Sequence, residues 1–354
     1  MERQTTLSKF LILHLSQGKA ESDLAALLID VAAAIKKISA ITSKGSLSGY
    51  LTELPAKNLH GETQKKLDEL SNQAMIEACE SGGQIAGIIS DGVESPYEIP
   101  DSFLRGQYLL AFNPIDGSSN TDMNVSVGTI FSVLKFTGKN KPEIQDFLQA
   151  SQLQIAAGYA VYGPATMLVI TVGCGTHGFT LDKEVGNFVL THPDIHIPRE
   201  TNEIAINSSH ELFWEPPVQR YINECKSGLS GNRKKEFNMR WGASNVTDVH
   251  RVLMRGGVFM YPKDSKEPLK PGHLRLLSEA QPLSMVVTQA GGLASTGRQR
   301  ISAIKATTLH QRVSVILGST EEVDRIERFH QEYDQGTDTE FASPLFMERS
   351  LFRD

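Results

Sequence analysis

The sequence has few or none of the features that are typical of disulfide-linked, zinc-binding and membrane proteins. Its 354 residues include only three cysteines, Cys79, Cys174 and Cys225, which lie far apart and in no paired-ligand spacing. A scattered, odd-numbered set of this kind indicates reduced thiols and predicts neither a disulfide framework nor a zinc site. The apolar stretch near the start, 10–15, is too short for a membrane span or the core of a signal peptide.

The charge balance excludes a second group of functions. The formal net charge is -6 and the isoelectric point is about 6.0, so no basic field is available to hold a nucleic acid. The dense basic run at 233–235, RKK, is predicted to be a solvated turn or a loop facing phosphate. The glycines of GCGTHG at 173–178 precede a strand pattern, which predicts a hairpin turn instead of a dinucleotide site.

Hydrophobic periodicity indicates an α/β protein that begins with helices. Apolar positions at helical spacing predict helices over 5–16, 21–43 and 62–80. From residue 85, short β-rich runs bounded by glycine, proline or aspartate predict a mixed sheet. The last third alternates patterns and predicts a second, more parallel sheet, with helices at 217–227, 245–255, 278–290 and from 320, and strands at 257–262 and 314–319.

The chain is predicted to divide near residue 200. An N-terminal subdomain, 1–200, would hold the first helices and the mixed sheet, and a C-terminal αβ subdomain would cover 201–335. Residues 336–354 form a tail. The boundary is expected within 191–203, where Pro193 and Pro198 interrupt the pattern.

The segment 108–120, YLLAFNPIDGSSN, runs from a hydrophobic strand into a cluster of polar residues. Ligand sites favour the carboxyl ends of strands. Gly117 permits a close backbone approach, and successive NH groups of Gly117, Ser118 and Ser119 could form a nest for a phosphate. Asp116 could hold a cation against that phosphate. An ordinary Asp-Gly turn would explain the dipeptide but not the whole motif.

At this motif the chain resembles class I fructose-1,6-bisphosphatases, whose pattern is FDPLDGSSN followed by VSVGTIF; the chain has FNPIDGSSNTDMNVSVGTIF. Further segments are similar to the same family in the same order, among them GETQKKLDELSN, MRWGASNVTDVHR, GGVFMYP and LRLLSEAQP. The resemblance covers about residues 5–332. It implies the layered sugar-phosphatase fold of the fructose-1,6-bisphosphatase and inositol monophosphatase type, with two sheets and flanking helices.

The resemblance implies a phosphatase that removes the 1-phosphate of fructose 1,6-bisphosphate with Mg²⁺, two or more ions per subunit, for which Mn²⁺ can substitute. Hard cations of this kind take oxygen ligands. By resemblance, Glu62, Asp68 and Asp91 are the catalytic acids, and Asp68 orients the attacking water. The implied metal ligands are Asp91, Asn113, the carbonyl of Ile115, Asp116 and Glu279.

The resemblance also implies which residues bind the sugar bisphosphate. Arginine suits phosphate because its planar guanidinium group donates two hydrogen bonds at once. In the family the equivalent of Arg240 reaches a neighbouring subunit's site, which implies a homotetramer. The implied substrate-binding residues are Asp116, Gly117, Ser118, Ser119, Asn207, His210, Arg240, Tyr261, His273 and Arg275.

The chain departs from the family pattern at several positions of the implied site. Gly92 stands where the family has the second acid of a Ser-Glu-Glu run, and Asn113 stands where it has the first aspartate of FDPLDGSSN. His210 and His273 replace a tyrosine and a lysine. The loss of a general base typically lowers a rate ~10²- to 10⁴-fold, and Glu69 or Glu94 could substitute for the missing acid.

Three functions therefore remain open at the level of sequence. The first is fructose-1,6-bisphosphatase activity, reduced or full. The second is a catalytically impaired paralogue that binds a ligand or an oligomeric partner. The third is a phosphatase for another sugar bisphosphate, such as sedoheptulose 1,7-bisphosphate.

The expected partners are a small sugar bisphosphate and identical subunits, without nucleic acid or membrane, and the expected location is the cytoplasm. AMP regulation has little support. The family's nucleotide site uses a small Gly/Thr-rich turn and a Lys-Tyr pair, whereas this chain has KAESDLA at 19–25 and Gln107 before Tyr108.

Overall fold

The computed structural model describes residues 5–15, 18–57, 63–138 and 140–338. Eight α-helices lie within these residues, together with a π-helical turn at Leu276–Ala280 and six short 3-10 turns. None of the helices in these ranges is both long and apolar enough to span a membrane. The α-helices are α1 Leu7–His14, α2 Lys19–Thr42, α3 Lys66–Cys79, α4 Ile144–Phe147, α5 Pro216–Lys226, α6 Asn245–Arg255, α7 Gln281–Gln289 and α8 Thr320–Asp334.

The same residues contain seventeen strands, which fall into two large sheets and two small two-stranded pairs. They are β1 Glu53–Lys57, β2 Thr63–Lys65, β3 Ile85–Ser90, β4 Tyr97–Glu98, β5 Tyr108–Asp116, β6 Val127–Lys135, β7 Gln154–Tyr162, β8 Thr166–Thr171, β9 His177–Asp182, β10 Asn187–His192, β11 Glu203–Ala205, β12 Asn238–Met239, β13 Val258–Tyr261, β14 Leu274–Arg275, β15 Leu293–Ser295, β16 Arg312–Val313 and β17 Val315–Gly318.

The larger sheet has eight strands in the order β10-β9-β8-β7-β6-β5-β3-β4. Its neighbours are antiparallel except β3 and β5, which run parallel. The smaller sheet has the order β12-β11-β13-β17-β15, in which β11 runs parallel to both β12 and β13 and the other pairs are antiparallel. Each sheet is therefore mixed, as an α/β architecture with helices on both faces permits.

Alternate residues of the larger sheet face two different hydrophobic cores, as the two-residue period of a strand requires. Leu110 and Phe112 of β5 pack with helices α1 to α3. Leu109 and Ala111 of the same strand pack with α6, α7 and the smaller sheet. A third core joins the smaller sheet to α5 and α8. The layers therefore follow the order helix, sheet, helix, sheet, helix, which confirms the predicted fold class.

Some predicted elements have the observed bounds, but the helix predicted over 62–80 begins later than predicted. Strand β3 begins at residue 85, where the β-rich runs are predicted to start, and helix α6 matches the predicted 245–255. The predicted helix over 62–80 begins only at Lys66, because the Asp68 carboxylate accepts a hydrogen bond from the Lys65 backbone NH at 2.8 Å and caps the helix there. Residues Thr63–Lys65 form strand β2 instead.

The basic run at 233–235 is only partly the solvated turn that the sequence predicts. Lys234 is exposed, but the Arg233 side chain is buried between α5 and α8. Its Nη2 atom lies 2.5 Å from Glu322 Oε1, and the Tyr221 hydroxyl donates to Glu322 Oε2 at 2.7 Å. Burial of the Glu322 carboxylate in the first turn of α8 recruits the arginine, since a buried charge needs a partner.

We expect replacement of Glu322 by glutamine to lower the free energy of unfolding by about 3 kcal/mol, because it leaves the buried Arg233 cation without its counter-charge. Denaturant unfolding measures the loss. The matched control is Lys37→Ala, which breaks an exposed 2.8 Å pair with Glu77 and should cost less than about 1 kcal/mol. Equal losses in both variants would show that the buried pair contributes nothing special.

Candidate active site

A cavity of about 1480 Å³ opens at the carboxyl end of β5, between the larger and the smaller sheet. Residues from both halves of the chain line it. Thirteen of the predicted site residues are among them: Asp68, Asp91, Asn113, Ile115, Asp116, Gly117, Ser118, Ser119, Asn207, Tyr261, His273, Arg275 and Glu279.

Two of the remaining predicted site residues lie outside this lining. The Arg240 side chain is exposed, and neither Arg240 nor His210 belongs to the cavity lining. Glu62 lies outside the described residues. Of the two acids that could replace the missing one, Glu69 lines the cavity, whereas Glu94 does not.

The predicted phosphate loop is a tight turn at the end of β5. Gly117 has φ +78°, a left-handed conformation that favours glycine, and a Cβ at this position would come within 2.8 Å of Ser244. Residues Ser118–Asn120 continue as a 3-10 turn. The chain therefore needs glycine at 117 both for its backbone conformation and for its close contact with the segment before α6.

A buried lysine holds this loop from the other side. Lys65 Nζ donates to the Ser118 carbonyl, to Thr121 Oγ1 and to Asp122 Oδ1, each at 3.1 Å. The Lys65 side chain is only 9% exposed. Because Lys65 immediately precedes α3, the loop and the helix that carries Asp68 are joined by one cation.

The Asp116 carboxylate is fully engaged by the start of helix α6. Its Oδ2 atom accepts from Ser244 Oγ at 2.7 Å and from the Val246 backbone NH at 2.9 Å, and its Oδ1 atom accepts from Asn245 Nδ2 at 2.7 Å. Burial and the nearby Glu279 charge raise the pKa of Asp116 to about 6, against these hydrogen bonds. A carboxylate at a helix N-terminus is stabilised by the helix dipole.

Asp91 and Glu279 belong to a second network, which also contains Asn113 and Arg275. Asn113 Nδ2 donates to Glu279 Oε1 at 2.9 Å, and the Arg275 backbone NH donates to Glu279 Oε2 at 2.7 Å. The Arg275 guanidinium group lies 2.5 Å from Asp91 Oδ2, while Ser278 Oγ donates to Asp91 Oδ1 at 3.2 Å. Internal donors therefore engage the buried carboxylates of Asp116 and Glu279 and the half-buried carboxylate of Asp91.

Glu279 lies in the π-helical turn Leu276–Ala280, just before α7. The sequence predicts an ordinary helix over 278–290, but the structure begins α7 only at Gln281, with Pro282 in its first turn. Single π-helical turns often occur at functional sites. Here the turn brings Glu279 back onto the NH of Arg275, four residues earlier.

Aromatic and imidazole groups form another part of the lining. The rings of Tyr261 and His273 stack with centroids 4.3 Å apart, and Trp241 packs edge-on against Tyr261 at 5.7 Å. His273 Nε2 lies 3.1 Å from Asp264 Oδ2, and His210 Nδ1 lies 3.4 Å from the same oxygen. His210 therefore contacts the residue that holds His273 in place.

Comparison with known proteins identifies the family. The model "Fructose-1-6-bisphosphatase, N-terminal domain" matches residues 5–193, and "Fructose-1-6-bisphosphatase, C-terminal domain" matches 197–331. The chain belongs to the fructose-1,6-bisphosphatase family. This confirms the resemblance that the sequence motifs indicate, while the predicted boundary near residue 200 stays a prediction.

Individual fructose-1,6-bisphosphatases are similar over nearly the whole chain. The class 1 enzyme of Methylacidiphilum infernorum is 52% identical over 349 residues, which is 98% of each chain. A class 1 enzyme of Methylibium petroleiphilum is 49% identical over 99% of this chain and 98% of its own. The holo form of the Leishmania major fructose-1,6-bisphosphatase has 37% identity and a TM-score of 0.86, covering 93% of this chain and 99% of that one.

Fructose-1,6-bisphosphatases depend on metal ions, so the site must be compared with what a cation needs. Asp91, Asp116, Glu279 and the Ile115 carbonyl offer the hard oxygen donors that divalent cations prefer, and all four residues line the cavity. Within the described ranges, however, no three His, Cys, Asp or Glu side chains are placed to hold an ion. The oxygen atoms are of the chemical type that a divalent cation needs. To bind the three carboxylates, however, a cation must displace the NH and OH groups that now donate to them.

Several residues that shape this fructose-1,6-bisphosphatase site are not among the predicted site residues. Lys65 lies within the segment GETQKKLDELSN, and its place next to Asp68 could have drawn attention to it. Ser244 and Asn245 lie within MRWGASNVTDVHR, where the sequence predicts only that a helix begins at 245. Trp241 lies in the same segment, whereas no local signal distinguishes lining residues such as Glu267, Lys270 and Arg312.

Proposed function

We propose that the chain hydrolyses the 1-phosphate of fructose 1,6-bisphosphate, giving fructose 6-phosphate and inorganic phosphate, with Mg²⁺ as the cation. Membership of the fructose-1,6-bisphosphatase family supports the reaction class. One observation carries the assignment within this chain. The Asp116 to Ser119 turn, the acids Asp91 and Glu279, and the pair Tyr261 and His273 line the same cavity.

A bisphosphate has two anionic ends, and the cavity has groups suited to each. The backbone and hydroxyl groups of Gly117, Ser118 and Ser119 would hold the phosphate that is cleaved. Lys65 stiffens that loop, since it bonds to the Ser118 carbonyl. Asn207, Tyr261 and His273 would take the sugar and its second phosphate.

Asp68 would orient the attacking water. It lies in the first turn of α3 and lines the cavity together with Glu69. Asp91, Asp116 and Glu279, with the Ile115 carbonyl, would hold the cations, and Mn²⁺ could replace Mg²⁺. When bound, divalent cations offset the negative charge of the transferring phosphoryl group and polarise the water.

The exposed Arg240 would complete a neighbouring subunit's site in a homotetramer. It follows the short edge strand β12, and its backbone NH bonds to the Ile204 carbonyl, which fixes the direction in which the chain leaves the sheet. We place this oligomer in the cytoplasm.

We propose no AMP effector for it. At the position of the family's Lys-Tyr pair the chain has Gln107 and Tyr108, and the Tyr108 hydroxyl already donates to the Ala20 carbonyl at 2.5 Å.

Phosphate release from three substrates tests the proposal: fructose 1,6-bisphosphate, sedoheptulose 1,7-bisphosphate and fructose 6-phosphate, each with Mg²⁺. We expect kcat/KM to be highest for fructose 1,6-bisphosphate and release from fructose 6-phosphate to be negligible, because the latter has no phosphate on C1. A preference for the seven-carbon sugar would replace the substrate but keep the reaction. If none of the three substrates releases phosphate, the result would support a protein that binds a ligand without hydrolysing it.

A further inference from the structure

The buried carboxylate of Asp264 lies behind the cavity, where it faces two imidazoles. Its side chain is 3% exposed and follows strand β13. Oδ1 accepts from the backbone NH groups of Lys266 at 3.1 Å and Glu267 at 3.3 Å. Oδ2 faces His273 Nε2 at 3.1 Å and His210 Nδ1 at 3.4 Å. Asp264 is thus fixed by its own loop and offers one oxygen to both rings.

Asp264 determines which nitrogen of His273 carries a hydrogen. Burial acts to raise the pKa of Asp264, but hydrogen bonds from His273 and the Glu267 backbone, together with the His273 charge, hold that pKa below its usual value. An ionised carboxylate can only accept, so Nε2 of His273 must be the donor. In a neutral ring, Nδ1 is then an acceptor with a lone pair. A lone pair repels a phosphate oxygen, whereas a hydrogen on Nδ1 would bind it.

Several charged groups surround this ring. His273 stacks on Tyr261, and its Nδ1 lies 4.0 Å from Glu267 Oε2, while the other oxygen of that carboxylate pairs with Lys270. Arg312 donates to the His273 carbonyl, and His210 shares Asp264. Burial lowers the pKa of His273 below its usual value, although Asp264 opposes this effect. Without a ligand the ring is therefore neutral near pH 7.

We infer that Asp264 makes binding of the distal phosphate depend on the uptake of one proton by His273. The inference rests on the proposed function, because it assumes that the sugar's second phosphate enters beside His273. A phosphate brings the negative charge that favours an imidazolium ring. The protonated ring donates from both nitrogens and bridges Asp264 to the ligand. Asp264 acts as a positioning residue, and phosphate affinity falls as pH rises.

Calorimetry with fructose 6-phosphate, without divalent cations, tests this between pH 7 and 8.5. In two buffers that differ in ionisation enthalpy, the native chain should take up close to one proton, and its Kd should rise about tenfold per pH unit. His273→Lys is the control, since a lysine stays charged throughout; its Kd should change less than about threefold. Subtracting its profile removes any titration of the ligand itself.

Two further variants separate the role of Asp264 from a general loss of structure. Asp264→Asn can donate to Nε2, so a neutral ring can keep its hydrogen on Nδ1 and proton uptake should disappear while binding persists. His273→Gln cannot take up a proton and should bind equally weakly at every pH. Both results would support the inference.

A flat Kd without proton uptake in the native chain would overturn the inference, as would uptake that survives in His273→Gln. Hydrolysis assayed in parallel separates this failure from failure of the proposed function. Phosphate release from fructose 1,6-bisphosphate combined with pH-independent binding rejects only the proton linkage. Absence of both release and binding rejects the proposed function together with this inference.

Discussion

The double variant Gly92→Glu, Asn113→Asp is expected to release phosphate from fructose 1,6-bisphosphate about 10²-fold faster than the native chain, at the lower end of the effect of a general base. Asn113 now donates to Glu279 and so competes with a cation for that carboxylate. An aspartate cannot donate and adds a negative charge. A glutamate at 92 places a second acid beside Asp91, on the cavity lining. Initial rates at saturating Mg²⁺ measure the change.

The single variant Asn113→Asp should show opposite effects with and without a cation. Without one, it loses a buried hydrogen bond and sets a carboxylate against Glu279, which should lower the free energy of unfolding by about 2 kcal/mol. Saturating Mg²⁺ should recover that loss, because a ligand that binds only the folded state stabilises it. For the double variant, Gly92→Gln is the control for added bulk at 92 without added charge. Equal Mg²⁺ affinities in the native chain and Asn113→Asp would contradict the competition.

Replacement of Asp116 by asparagine is expected to reduce phosphate release about 10³-fold, since it removes a charge from the proposed cation site while preserving the side-chain volume. The fold should persist, because the amide oxygen can still accept from Ser244 or Val246. Measurement of kcat at saturating substrate and Mg²⁺, with a circular dichroism spectrum, separates the two properties.

Ser244→Ala is the matched control for the Asp116 variant. It removes a donor to Asp116 and the N-cap of α6, whose hydroxyl also accepts from the Thr247 NH at 3.4 Å. We expect it to lower the free energy of unfolding by about 1 kcal/mol and to slow hydrolysis far less than Asp116→Asn. An equal loss of rate in both variants would mean that Asp116 acts only by anchoring α6.

The elements that the sequence predicts best are those whose local pattern agrees with their tertiary role. Strand β3 is buried along its whole length and apolar except at its last residue, Ser90, and α6 begins directly after its N-cap, Ser244. The start of α3 was misplaced because a side-chain cap at Lys65 outweighs the helical pattern before it. The π-helical turn that carries Glu279 has no counterpart in the 3.6-residue period.

Most residues of the site could be predicted from sequence motifs, but the contacts between those residues could not. Asn113 meets Glu279 across 166 residues, and Asp116 meets Ser244 across 128. Such contacts depend on how β5, α6 and the π-helical turn pack, and no single segment encodes that packing. Asp264 illustrates the same limit, since it stands in no motif and acquires its position from the burial of the loop after β13.

The proposed function is tested most directly by a ³¹P NMR time course of the native chain with fructose 1,6-bisphosphate and Mg²⁺, repeated after addition of EDTA. This function predicts that the C1 phosphate signal disappears while the signals of fructose 6-phosphate and inorganic phosphate grow in equal amounts, and that EDTA stops the reaction. An unchanged spectrum with Mg²⁺, or loss of the C6 phosphate in place of the C1 phosphate, would contradict it.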